Sequence, residues 1–210
     1  MLIDVLVVCG ILMAAMAAAI VWYERGSRIG WLHFWLSMAL AGWQLSFAYA
    51  IGAPDEASAL TRFRFLAMPL SVLVLPLAFH FMHALAVRWR RVRTTLVAVW
   101  AGAVILLALL WFTREFVTGV RHFDWGYVAA YGWGGALFVG YVTTVVVISI
   151  VLSWRLYAQN WKGGATSGRG LMLLVASSVA SIGTIDFLPF FGIDVLPVGG
   201  VALAIANALN

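Results

Sequence analysis

Arg62 and Arg64, two residues apart, stand at the opening of one apolar stretch, and a single carboxylate, Asp186, stands near the end of another. A guanidinium at a bilayer boundary can grip a carboxylate or a phosphate in a fork geometry. An ionisable group within an apolar segment is a functional candidate that needs a partner, so Asp186 is the expected counter-charge of the arginines. Snorkelling to lipid headgroups is the plainer account of the same charges. Gln44 lies mid-way along another apolar stretch, where its amide must pair with a second helix or with a ligand. Trp43, Tyr49, Tyr131 and Trp133 can wall an apolar pocket around a ligand, with simple packing as the alternative. His80 and His83 share a helix face at a spacing of three. With His33 they form a weak candidate set for metal or haem ligation, beside the simpler role of hydrogen bonding between helices. No cofactor is expected. The chain has no Gly-x-Ser-x-Gly, His-Glu-x-x-His or P-loop pattern, so no catalytic activity is expected of it.

The elements that must position these groups follow from composition. The 210 residues are 64% hydrophobic and 10% charged, with a mean hydropathy of +1.01. A soluble domain carries roughly 25% charged residues, so the solvent implied here is lipid. Seven apolar segments of near-spanning length predict an all-α integral membrane bundle forming a single domain over residues 1–210. They run Leu2–Tyr23, Trp31–Gly52, Phe65–Val87, Thr95–Phe112, Tyr127–Trp154, Gly170–Phe191 and Leu196–Asn210. The last is short and reads as cut within a helix of a longer protein. Gly132, Gly134 and Gly135 thin the fifth segment, and Ala176, Ala180 and Thr184 give the sixth a small-residue face suited to helix packing.

Charge in the gaps sets an expected orientation. Unopposed bases fall in gaps one (Arg25, Arg28), three (Arg88, Arg90, Arg91, Arg93) and five (Lys162, Arg169). The positive-inside rule then places these gaps in the cytoplasm, the N-terminus outside and the C-terminus inside. Arg62 and Arg64 run against that rule. The formal net charge of +5 reflects topology and contact with anionic lipid rather than nucleic-acid binding. One cysteine, Cys9, precludes an intramolecular disulfide.

Two stretches carry a family resemblance. One runs from Gly42-Trp43 through Phe47-Ala48-Tyr49-Ala50 and Arg62-Phe63-Arg64-Phe65 to Pro69, Pro76 and Phe79-His80-Phe81. The other is Asp186-Phe187-Leu188-Pro189-Phe190-Phe191-Gly192 followed by Pro197-Val198-Gly199. Together they resemble the seven-transmembrane N-terminal sensory region of bacterial membrane histidine kinases, which also precedes diguanylate cyclase outputs. The resemblance implies a sensor or receptor module of the bacterial inner membrane. Its last helix would continue into a cytoplasmic output domain or act on a response regulator.

The leading expectation is therefore a sensory module. A small or lipid-like ligand would be held at its polar end by Arg62, Arg64 and Asp186, and along its body by Trp43, Gln44, Tyr49, Tyr131 and Trp133. Binding would shift a helix, in an expected homodimer, toward the cytoplasm. A haem- or metal-binding membrane protein using His33, His80 and His83, or a small-solute transporter, is the alternative.

Overall fold

Helix α1 (Leu2–Tyr23) buries Leu6, Cys9, Gly10, Met13 and Ala17. These positions recur at intervals of three and four and so form one stripe of a helix. Val8, Ile11 and Leu12 on its other side are exposed and equally apolar, as a lipid-facing surface requires. The computed structural model describes residues 2–24, 26–86, 93–160, 171, 174–176, 178–179, 181, 183–197 and 199–208. Within them, five helices are long and apolar enough to cross a membrane: Leu2–Tyr23, Arg28–Ile51, Glu56–Leu85, Arg93–Phe112 and Trp133–Arg155. The chain is helical and compatible with a multi-pass membrane protein. The gap residues Arg25, Arg88, Arg90, Arg91, Lys162 and Arg169 lie outside the described residues, as do parts of the sixth segment, including Ala180.

Helix α2 (Arg28–Ile51) starts where the Ser27 hydroxyl accepts from the Gly30 N–H at 3.2 Å, an N-cap that satisfies one of the orphan donors of the first turn. Helix α3 (Glu56–Arg62) is capped in the same way by Asp55, whose carboxylate accepts from the Ser58 N–H at 2.8 Å. That backbone hydrogen bond is the main cause holding the Asp55 carboxyl below its ordinary pKa. A π turn, Phe63–Ala67, joins α3 to α4 (Met68–Ala86). The third helix thus begins well before the expected Phe65, and both arginines lie inside it. Pro69 explains the wide turn: its ring would crowd the carbonyl four residues earlier in a regular α-helix.

Helix α5 (Arg93–Phe112) is followed by an antiparallel hairpin, β1 (Val117–Phe123) and β2 (Gly126–Tyr131). The expected fifth span therefore loses its first residues: Tyr127–Tyr131 are strand, and helix α6 runs Trp133–Asn160. The physical reason is local. Gly119, Gly126 and Gly132 each weaken a helix by about 1 kcal/mol relative to alanine, and the two-residue connection Asp124–Trp125 closes the strands. Gly132 does not thin a helix face. It sits at the strand–helix junction, where a Cβ would lie 2.4 Å from the Glu115 carbonyl oxygen.

Beyond α6, the described residues between 171 and 181 are helical, and two 3-10 turns follow, Gly183–Phe187 and Pro189–Phe191. A short helix α7 (Gly199–Ala208) ends the described chain, starting later than the expected Leu196. The hairpin closes one end of the bundle over a core that includes Phe47, Phe63, Phe116, Tyr131, Phe138 and Phe190. A second cluster, with Met13, Leu36, Leu40 and Phe81, fills the opposite half. Trp31, Trp35, Trp111 and Trp154 are exposed near helix ends, as an interfacial belt would have them.

Candidate functional site

A cavity of about 120 Å³, open at its mouth, lies where α2, α4, α6, the first 3-10 turn and α7 meet. Trp43 stands on the α2 wall, Val74 and Phe79 on α4, Phe138 and Val142 on α6, Phe187 on the 3-10 turn and Leu203 on α7. Ser71, Ser149 and Thr184 add hydroxyls. Its lining is mostly apolar with a few placed polar groups, the make-up of small-molecule sites. A chain of ring contacts links it to the hairpin: Phe138 meets Phe187 at 5.6 Å, Phe187 meets Phe190 at 6.2 Å, and Phe190 stacks on Tyr131 at 4.4 Å.

The cavity shares its 3-10 wall with a joint at the start of α7. Asp186, buried at 6% exposure, directs both carboxylate oxygens at the Gly199 N–H, at 2.8 and 2.9 Å. A carboxylate at a helix N-terminus meets the positive end of the helix dipole and unpaired N–H groups. Only glycine fits there, because a Cβ on Gly199 would lie 2.5 Å from Asp186 Oδ2 and 2.7 Å from Gly183 Cα. The next residue, Gly200, packs against Gln44: a Cβ would lie 2.6 Å from Gln44 Oε1 and 2.7 Å from Nε2. Gln44 is 1% exposed, and neither atom of its amide finds a hydrogen-bond partner among the described residues.

The arginines do other work than the sequence suggested. Arg62 Nη1 donates to the Tyr49 carbonyl at 2.8 Å, and its guanidinium lies 3.6 Å above the Tyr49 ring. Arg64 Nη2 donates to the Thr113 carbonyl, just past the end of α5. Residues two apart on a helix point to opposite sides, so each arginine closes the C-terminal end of a different neighbour, where a cation meets the negative pole of the helix. No ion pair joins either arginine to Asp186 among the described residues, and the three do not converge on one ligand position.

Of the aromatic candidates, Trp43 lines the cavity. Tyr131 is buried in the closed end, its hydroxyl donating to Met68 Sδ at 3.3 Å, and burial pushes its phenol well above its ordinary pKa. Tyr49 and Trp133 are more than half exposed and do not wall the cavity. His80 and His83 lie one turn apart on α4, and His33 stands on α2. His33 stacks on Phe81 at 4.7 Å and pairs through Nε2 with Asn207 Oδ1 at 3.3 Å. His83 meets the Phe79 ring edge-on at 4.1 Å. Among the described residues no three His, Cys, Asp or Glu side chains are grouped to hold a metal ion.

Several residues of consequence were not singled out from the sequence. Asn207 donates through Nδ2 to Ser37 Oγ at 3.0 Å and so ties the far end of α7 to α2. An amide in an apolar segment was the available signal, as it was for Gln44. The cavity hydroxyls of Ser71 and Ser149 carried no such signal, since serine is common in packed membrane helices. No family model matches the chain, and no curated protein matches it significantly.

Proposed function

We propose that the chain is a membrane-embedded sensory module in which a small apolar ligand fills the cavity and shifts α7. One observation carries this reading: the cavity wall includes both α7, through Leu203, and the 3-10 turn that Asp186 fastens to the first turn of α7. A ligand that fits one arrangement of this joint better than another biases α7 by that difference in affinity. In this reading the sixth and seventh segments complete a seven-span bundle with the N-terminus outside and the C-terminus cytoplasmic. The module works as a homodimer in a bacterial inner membrane, and α7 passes its shift to a signalling output of the histidine kinase or cyclase type. The resemblance in the two motif stretches supports that output.

Photolabelling tests the reading. The full chain in lipid nanodiscs is irradiated with an aliphatic hydrocarbon carrying a diazirine, and the labelled residues are mapped by mass spectrometry. Saturable labelling of Phe138, Val142 and Phe187, abolished by Ala78→Phe within the cavity, is the expected result. Labelling that never saturates and falls only on exposed residues such as Val104 and Ile105 would discard it.

A further inference from the structure

We infer that the cavity selects a neutral amphiphile with a hydroxyl group, of the class of a medium-chain aliphatic alcohol. This deepens the sensory reading and rests on it. The described lining contains no Asp, Glu, Lys, Arg or His. A carboxylate or ammonium brought there would lose its hydration with no opposite charge to offset the loss. The ligand is therefore uncharged.

The polar atoms of the wall set the rest of its chemistry. The Ser71 hydroxyl donates to the Met68 carbonyl at 2.8 Å, and the Thr184 hydroxyl donates to the Ser181 carbonyl at 2.7 Å. A hydroxyl has one proton. With that proton committed to the backbone, Ser71 and Thr184 offer a ligand only lone pairs, and these call for a donor. Ser149 adds a third hydroxyl oxygen to the same wall. A ligand hydroxyl supplies the donor these lone pairs call for. A plain hydrocarbon, a ketone or an ester has no such proton. The apolar remainder of the wall, with Phe138, Val142 and Leu203, takes the aliphatic chain.

The test is competition against the diazirine hydrocarbon on the full chain in nanodiscs, with decanol, decane and decanoate compared at equal concentration in the bilayer. Decanol should displace the label at a concentration about tenfold lower than decane, the worth of one or two hydrogen bonds, and decanoate should not compete. In Thr184→Val and in Ser71→Ala the ratio of decanol to decane competition should shrink to about threefold or less. Saturable labelling of Phe138 and Val142 that persists in each variant shows that its cavity is folded. Equal competition by decanol and decane in the wild type, or competition by decanoate, would overturn the hydroxyl class and leave the cavity reading standing. No saturable label in the cavity would overturn both.

Discussion

Both carboxylate oxygens of Asp186 accept from the single backbone N–H of Gly199, at 2.8 and 2.9 Å. A hydrogen bond to a charged group contributes about 1.5–3 kcal/mol, so Asp186→Ala should lower stability by about that amount. Asp186→Asn should cost less, since its carbonyl still accepts. Gly199→Ala forces a Cβ against both Asp186 and the Gly183 backbone and should cost about 2–3 kcal/mol. Gly183→Ala meets nothing nearer than 3.6 Å and should stay within about 0.5 kcal/mol of wild type. Thermal unfolding in detergent, followed by tryptophan fluorescence, ranks the four variants. A Gly199→Ala protein as stable as Gly183→Ala would contradict the joint.

Gln44 and Gly200 form a coupled pair. Gly200→Ala alone should cost about 1–2 kcal/mol, because the new methyl meets the Gln44 amide. Gln44→Leu removes a buried amide that makes no hydrogen bond to the described residues, and should be neutral or stabilising by about 1 kcal/mol. In the double variant Gln44→Ala/Gly200→Ala the two costs should fall short of their sum by at least about 0.5 kcal/mol. Strict additivity in the same unfolding assay would show that the two side chains do not meet.

Arg62 and Arg64 close different helices in different surroundings. The Arg62 bond is exposed and the Arg64 bond is half-buried. Arg64→Ala should therefore cost about 1.5–3 kcal/mol and Arg62→Ala no more than about 1 kcal/mol, the worth of an exposed cation–π contact. Neither change should alter competition by decanol in the cavity. A selective loss of ligand binding in either variant, at unchanged stability, would restore the arginine clamp that the sequence suggested.

The cap at Asp55 gives a pH dependence whose sign is set by its lowered carboxyl pKa. A depressed folded-state pKa means that the cap stabilises fully above the ordinary carboxylate value and is lost as pH falls through the folded value. The difference in melting temperature between wild type and Asp55→Ala should stay constant from about pH 7 to pH 5 and close below about pH 4. A difference that persists unchanged into that acid range would show that the carboxylate does not cap α3.

The helices were legible where length and apolarity suffice. Leu2–Tyr23 matches α1 end for end, and the expected ends at Gly52 and Phe112 fall within a residue of the ends of α2 and α5. The hairpin was not legible as strand, because Tyr127–Tyr131 run directly into an apolar helix and hydropathy does not separate the two. The early start of the third helix was missed because Glu56–Arg62 is too polar to count as span, although Asp55 and Ser58 already made a capping pair. Trp43 lines the cavity, but Tyr49, Tyr131 and Trp133, grouped with it from the sequence by residue type, do not. The convergence of Arg62, Arg64 and Asp186 was inferred from charge alone, and the two-residue spacing of the arginines argued against it. Which helix receives Asn207 or Gln44 depends on tertiary packing, which one chain's sequence does not encode locally.

If filling the cavity moves α7, the distance from α7 to a neighbouring helix must change. In a Cys9→Ala background, spin labels are placed at the exposed positions Ile105 on α5 and Ile205 on α7, and their separation is measured in nanodiscs with and without saturating decanol. A shifted distance distribution, abolished by Ala78→Phe, is the expected result. Photolabelling that shows an occupied cavity while the distribution stays unchanged would contradict the movement of α7.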